Sequence, residues 1–112
     1  MAVVDFVNKA NQLFTYTGLS ASDTGQPIFM DGGSGLLLNV QAVSGGGTGF
    51  NGGTLTLQVS NDGTNYATLK DVHGTDAEFT VAGIVELSTG AQFIRPLCDA
   101  SIGDLDVIFS YG

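Results

Sequence analysis

The sequence predicts an all-β fold: an antiparallel β-sandwich or small barrel, jelly-roll or immunoglobulin-like, of about seven or eight strands with an N-terminal arm. Three observations carry that expectation. Apolar and polar residues alternate with a period of two over several short segments. Seventeen glycines against two prolines separate those segments, and no G-X-Y period accompanies them. Only 12% of the 112 residues are charged, about half the usual ~25%, which excludes charge-rich disorder and a coiled coil. An apolar share of 43% suffices for one core, and the length leaves no room for a second.

Residues 1–17 read differently from the rest. Val3, Phe6, Val7, Ala10, Leu13 and Phe14 recur at spacings of three and four, the helical period, whereas Phe14-Thr15-Tyr16-Thr17 alternates like a strand. The expectation is an arm over residues 1–17, helical or extended, leading into a sandwich domain over 18–112. Pro27 to Met30 is a short apolar run. Leu36, Leu38, Val40 and Ala42 then alternate with their neighbours as a half-buried strand. Six glycines between Ser44 and Gly53 make a strand costly there, so this stretch reads as a flexible loop with Phe50 as its one large apolar side chain. Thr54 to Ser60 alternates most clearly, with Leu55, Leu57 and Val59 facing inward. Asn61-Asp62-Gly63 is a turn, because these residues tolerate positive φ, and Tyr66 to Leu69 returns as the partner strand. Glu78 to Val81 and Ile84 to Leu87 flank Ala82-Gly83. Gln92 to Leu97 is a strand whose Pro96 points to an edge or an end. Leu105, Val107, Phe109 and Tyr111 alternate along the last one.

Three cations, Lys9, Lys70 and Arg95, stand against eleven carboxylates, for a net charge of −8. Nucleic-acid binding needs several Lys or Arg to displace phosphate counterions, and anionic membrane surfaces call for the same sign. Neither partner is expected. The single Cys98 makes no intrachain disulfide, so a disulfide scaffold is excluded. Met1 to Ala10 lacks the basic and long apolar regions of a signal peptide, and the expectation is synthesis in a cytoplasm.

The search for chemistry yields little. His73 lies between Asp71 and Asp76 without a second imidazole to make a metal site, and nucleophile-elbow, zincin and phosphate-loop patterns are absent. Asp104 and Asp106 share a strand face, but no tryptophan accompanies them as a sugar-hydrolysing cleft would require. Asn61 to Asn65 has oxygen ligands at near-alternate positions but lacks the glutamate and helices of an EF-hand. No enzyme activity, cofactor or metal is expected.

The stretch from Leu55 to Leu69, a strand ending in Ser60-Asn61-Asp62-Gly63 followed by Thr64-Asn65, an aromatic and a short return strand, resembles a recurring phrase. Phe93-Ile94-Arg95-Pro96-Leu97 echoes the aromatic–aliphatic–Arg strand that accompanies it. The pairing is similar to discoidin-type sandwiches and to small phage virion proteins. Discoidin domains are longer, commonly secreted and usually carry terminal cysteines. Capsid decoration, or cement, proteins are small, rich in Gly, Thr and Ser, and poor in Lys and Trp.

That resemblance implies a virion structural protein on the outside of an icosahedral phage capsid, bridging subunits of the major capsid protein and self-associating as a homotrimer. The capsid contacts would come from Val3, Val4, Phe6, Val7 and Phe14 of the arm and from Phe50 of the loop. Burying three such side chains brings a gross gain of roughly 5–9 kcal/mol, much of it offset by ordering costs. The alternative is a carbohydrate- or receptor-binding module of a tail or fibre, its site formed by Asn51, Asn61, Asp62, Asn65 and Tyr66.

Overall fold

A computed structural model describes residues 4–8, 12–30, 36–44, 49–71 and 73–111. Ten strands follow one another: β1 (Val4–Asn8), β2 (Gln12–Leu19), β3 (Ile28–Phe29), β4 (Leu36–Ser44), β5 (Leu55–Ser60), β6 (Ala67–Thr68), β7 (Glu78–Phe79), β8 (Gly83–Thr89), β9 (Phe93–Cys98) and β10 (Leu105–Tyr111). One sheet is ordered β1-β2-β10-β4-β8; the other is β3-β9-β5-β6, with β7 also paired to β5. All pairings are antiparallel. The all-β sandwich is therefore as the sequence predicts. The strand number is higher because β1, read as part of the arm, and β3, read only as a short apolar run, are strands.

Alternation sets the two faces of each sheet. In β5, Leu55 and Leu57 are buried while Thr56 and Gln58 are half-buried on the outer side. Opposite them in β9, Ile94, Pro96 and Cys98 point inward at matching register. The facing sheet contributes Leu38, Val40 and Ala42 from β4 and Leu105, Val107 and Phe109 from β10. Tyr16 of β2 packs edge-on against Phe109, with ring centroids 5.7 Å apart at 72°, and its hydroxyl donates to the Gln26 carbonyl. That bond ties the β2 sheet to the approach of β3 in the other sheet. Gly25 sits in the same seam. A Cβ there would lie 2.6 Å from the Pro96 ring and 2.8 Å from Tyr16, so this position takes no larger residue without displacing the core.

The N-terminal segment takes the extended of the two forms expected of it. No helix occurs among its described residues; β1 and β2 form a hairpin, Val4 opposite Tyr16 and Phe6 opposite Phe14, and β2 in turn pairs with β10. The expected boundary at residue 17 falls inside β2. Spacings of three and four arose because adjacent apolar residues divide between the two faces of a strand: Phe14 packs against the core and Leu13 lies on the opposite face.

A bulge follows at the end of β2. Between the pairs Leu105–Leu19 and Val107–Tyr16, β10 advances two residues while β2 advances three. Gly18 takes a φ of 73° there and its N–H donates to Asp106 Oδ1 at 3.0 Å. The extra residue returns Leu19 to the face of Tyr16, and both are fully buried, as a β-bulge permits.

Phe50 corrects the sequence reading. It is 8% exposed and belongs to the core, because residues 49–53 form a bonded turn. The N–H groups of Gly103 and Asp104 donate to the Gly49 carbonyl at 2.8 and 3.2 Å, which draws the turn onto the sandwich. Residues 45–48 of the glycine-rich stretch lie outside the described residues.

The face assignment has a direct test. Leu57→Asp places a carboxylate in a fully buried site and is expected to abolish the cooperative melt. Thr56→Asp on the outer face is expected to shift Tm by no more than a few degrees. Equal tolerance of the two would contradict the assigned register.

Candidate functional site

Carboxylates are the most numerous ionisable groups in the chain, and the structure uses several of them to close turns. Asp62 sits in the turn between β5 and β6. Its Oδ1 accepts from Ser60 Oγ, Thr64 N and Asn65 N, each at 2.8 Å. Its Oδ2 accepts from Asn65 Nδ2 at 2.8 Å. Ser60 Oγ in turn accepts from the N–H groups of Asp62 and Gly63. The oxygens that would bind a cation are thus engaged by the turn itself. These donors, the Asn65 and Thr64 N–H groups above all, hold the Asp62 carboxyl far below the usual range.

The same device recurs. Asp71 Oδ1 accepts from the N–H groups of His73 and Thr75 at 2.8 and 2.9 Å, which lowers its pKa, Thr75 contributing most. Asp71 therefore holds backbone and does not orient the His73 imidazole, which projects from an exposed residue. Asp99 bonds the N–H groups of Thr54 and Ser101, and Asp23 those of Ser20 and its hydroxyl. Asp106 caps the Gly18 bulge, whereas Asp104 precedes β10. Lys70 and Asp76 form an exposed ion pair, a type that contributes little to stability. Among the described residues no three His, Cys, Asp or Glu side chains converge on a metal-sized site. Burial, reinforced by Asp23 and Asp99, pushes the Cys98 thiol up to about 12, which leaves it a poor nucleophile at neutral pH.

The loops of the binding-module reading do not form one surface. Asn51 precedes β5, and Asn61, Asp62, Asn65 and Tyr66 follow it, so a strand of six residues, about 20 Å long, separates them. Of the sequence-predicted contact residues, Val3 lies outside the described residues. Val4, Phe6 and Val7 are placed by backbone register in the edge strand β1. Phe14 packs against the core and Phe50 is inside it.

Sequence reasoning missed the exposed apolar groups. Phe29 in β3 is 52% exposed, Val81 is 70% and Ile84 in β8 is 59%. Phe29 lies 5.2 Å from Phe93, centroid to centroid, on the outer face of the second sheet. Beside them the Arg95 guanidinium lies 3.7 Å from the Tyr66 ring centroid, and its Nε donates to Gln58 at 2.9 Å. Arg95, half-buried, thus has a planar neighbour and an acceptor on its own sheet. The signal in the sequence was alternation in Phe93-Ile94-Arg95, which puts Phe93 and Arg95 on the face opposite buried Ile94.

Phe29 and the Val81–Ile84 pair stand on opposite flanks. Tyr16 ties the approach of β3 to the β2 side of the first sheet. Only Thr80 to Ala82 link β7 to β8, which sets those strands together at the other side.

No family model matches the chain, and no curated protein matches its sequence. A solved structure does: the crystal structure of SPBc2 prophage-derived protein YomS superposes with a TM-score of 0.58 at 10% sequence identity. The match covers 96% of this chain and 98% of that one. The two chains share a fold over essentially their whole lengths.

The turn chemistry predicts a pH dependence. The folded-state pKa values of Asp62 and Asp71 lie below that of an unfolded aspartate, about 3.9. Their stabilisation is therefore complete at neutral pH and is lost as the pH falls below about 4. Thermal melts of Asp62→Ala should show a lower Tm than the parent at neutral pH and a gap that narrows in acid. A gap independent of pH would contradict the role of the carboxylate.

Proposed function

We propose that the chain is a virion structural protein that decorates the outside of an icosahedral phage capsid and bridges subunits of the major capsid protein. It is made in the host cytoplasm and acts as a homotrimer. The observation that carries this reading is the end-to-end fold likeness to a prophage-derived protein of matching extent. Two features of the molecule support it. The turns are closed by side-chain to backbone bonds, which gives a rigid body resistant to local opening. Exposed apolar residues stand on two opposite flanks, Phe29 on one and Val81 with Ile84 on the other, as a bridge between two subunits requires.

In this reading the contacts shift from the N-terminal segment to the flanks. β1 and β2 are paired strands of the first sheet. Each flank contact buries one or two large side chains, a gross gain of about 1.5–3 kcal/mol per side chain. Repetition by trimer symmetry multiplies such weak contacts into firm attachment.

Add-back to particles that lack the protein tests the proposal. Wild-type protein is expected to bind them saturably. Phe29→Asp and Ile84→Asp, folded by circular dichroism and melting, are expected to bind at least about tenfold more weakly, since ~1.4 kcal/mol corresponds to a factor of ~10. Failure of the wild type to bind overturns the capsid role. Equal binding by all three proteins overturns the flank contacts and returns attention to the Phe93–Arg95 face.

A further inference from the structure

We propose that Asn51 is a site of spontaneous covalent modification, converting to aspartate and isoaspartate through a succinimide formed with the backbone nitrogen of Gly52. This inference is independent of the capsid reading and rests on the turn that connects into β5.

Of the six asparagines in the chain, Asn51 alone precedes a glycine. Asn51 and Gly52 are both exposed, with φ values of 46° and 77°. The Gly53 N–H donates to the Phe50 carbonyl at 2.6 Å. Two central residues with positive φ closed by that bond make a type I′ turn. Neither the Asn51 amide side chain nor the Gly52 N–H is hydrogen-bonded among the described residues. Nothing lies within 4 Å of where a Gly52 Cβ would stand. The nucleophile, the electrophile and the space between them are therefore all open to water. Gly52 adds the backbone freedom needed to leave the turn geometry for ring closure.

The chemistry balances with water as the only co-reactant. The Gly52 nitrogen gives its proton to solvent and forms a bond to the Asn51 side-chain carbonyl carbon. The bond from that carbon to the amide nitrogen breaks, and ammonia leaves. Water then adds to either carbonyl of the five-membered ring. One opening gives aspartate; the other carries the main chain through the former side chain and gives isoaspartate. Nothing is oxidised or reduced.

Asn39, Asn61 and Asn65 are shielded. Asn61 Oδ1 accepts from the Gln92 N–H and is followed by Asp62, whose side chain crowds the attacking nitrogen. Asn65 is held by Asp62 and followed by Tyr66. Asn39 lies within β4, paired on both sides. Asp62-Gly63 has the right spacing for isomerisation, but its carboxylate is engaged by four donors, and the Gly63 N–H donates to Ser60 Oγ.

Modification would be felt by the fold. The turn is held at one end by buried Phe50. At the other end a Gly53 Cβ would stand 2.4 Å from Asp99 Oδ1, and Asp99 Oδ2 accepts from Thr54 N–H at 2.8 Å. An isoaspartate lengthens the backbone between these anchors and breaks the Phe50–Gly53 bond. Either product adds one negative charge to the turn, two residues before the Gly53 position that abuts Asp99.

The test follows the full-length protein during incubation at mildly alkaline pH and physiological temperature, beside the same protein in denaturant. Peptide mass mapping and enzymatic methylation of isoaspartate are the readouts. The expected result is exchange of the amide NH2 for OH at residue 51 alone, faster at higher pH, with a lowered Tm in the isoaspartate fraction. Asn51→Gln, whose longer side chain closes the ring poorly, is expected to remain unmodified, with a Tm that does not change during the incubation. An intact residue 51 in the folded protein after the denatured control has converted overturns the proposal, as does preferential modification at Asn61 or Asn65.

Discussion

The position of β10 between β2 and β4 is the constraint on which the rest of the domain depends. Leu105, Val107 and Phe109 are fully buried, and each such side chain contributes about 1.5–3 kcal/mol on burial. Their strand pairs along its whole length with β4 and, through the Gly18 bulge, with β2. Both pairings join segments distant in sequence, so the loop-closure cost is offset only when the last strand is in place. The first sheet is then one body, and Tyr16 fastens it to the second by its bond to the Gln26 carbonyl. Burial raises the Tyr16 phenol pKa, with Tyr66 adding to the effect, so the hydroxyl remains a donor at every ordinary pH.

On that frame the acidic residues act locally. Asp23, Asp62, Asp71, Asp99 and Asp106 each accept from backbone N–H groups in turns or at the bulge. A sheet protein rich in turns has many N–H groups without ladder partners, and short carboxylates satisfy several at once. The net charge of −8 follows in part from this use of aspartate. It also adds a repulsion between free copies in solution.

Much of the architecture was legible because one-sided burial writes a period of two into the chain. Leu55-Thr56-Leu57-Gln58 and Leu105-Asp106-Val107-Ile108 show it plainly. The failures share a cause. At Tyr16 and Leu19 the period of two breaks because Gly18 inserts a bulge, which leaves two buried side chains three residues apart. Glycine abundance around Phe50 suggested a free loop, but hydrogen bonds from Gly103 and Asp104 fold residues 49–53 back onto the core. Such bonds join residues far apart in sequence and leave no local pattern. The exposure of Phe29 and Ile84 was hidden for the same reason: which face of a short strand is covered depends on the opposing sheet. Isolated turns fared better, since Asn61-Asp62-Gly63 carries its own hydrogen-bonding groups.

The measurement that tests the proposed function most directly is the copy number of this chain in purified particles of the phage proposed to carry it. Gel densitometry against the major capsid protein suffices. A protein that decorates the shell and bridges its subunits is expected in near-stoichiometric ratio to the capsid protein. A handful of copies per particle, or none, contradicts decoration and assigns the sandwich to a tail part or to a role outside the virion.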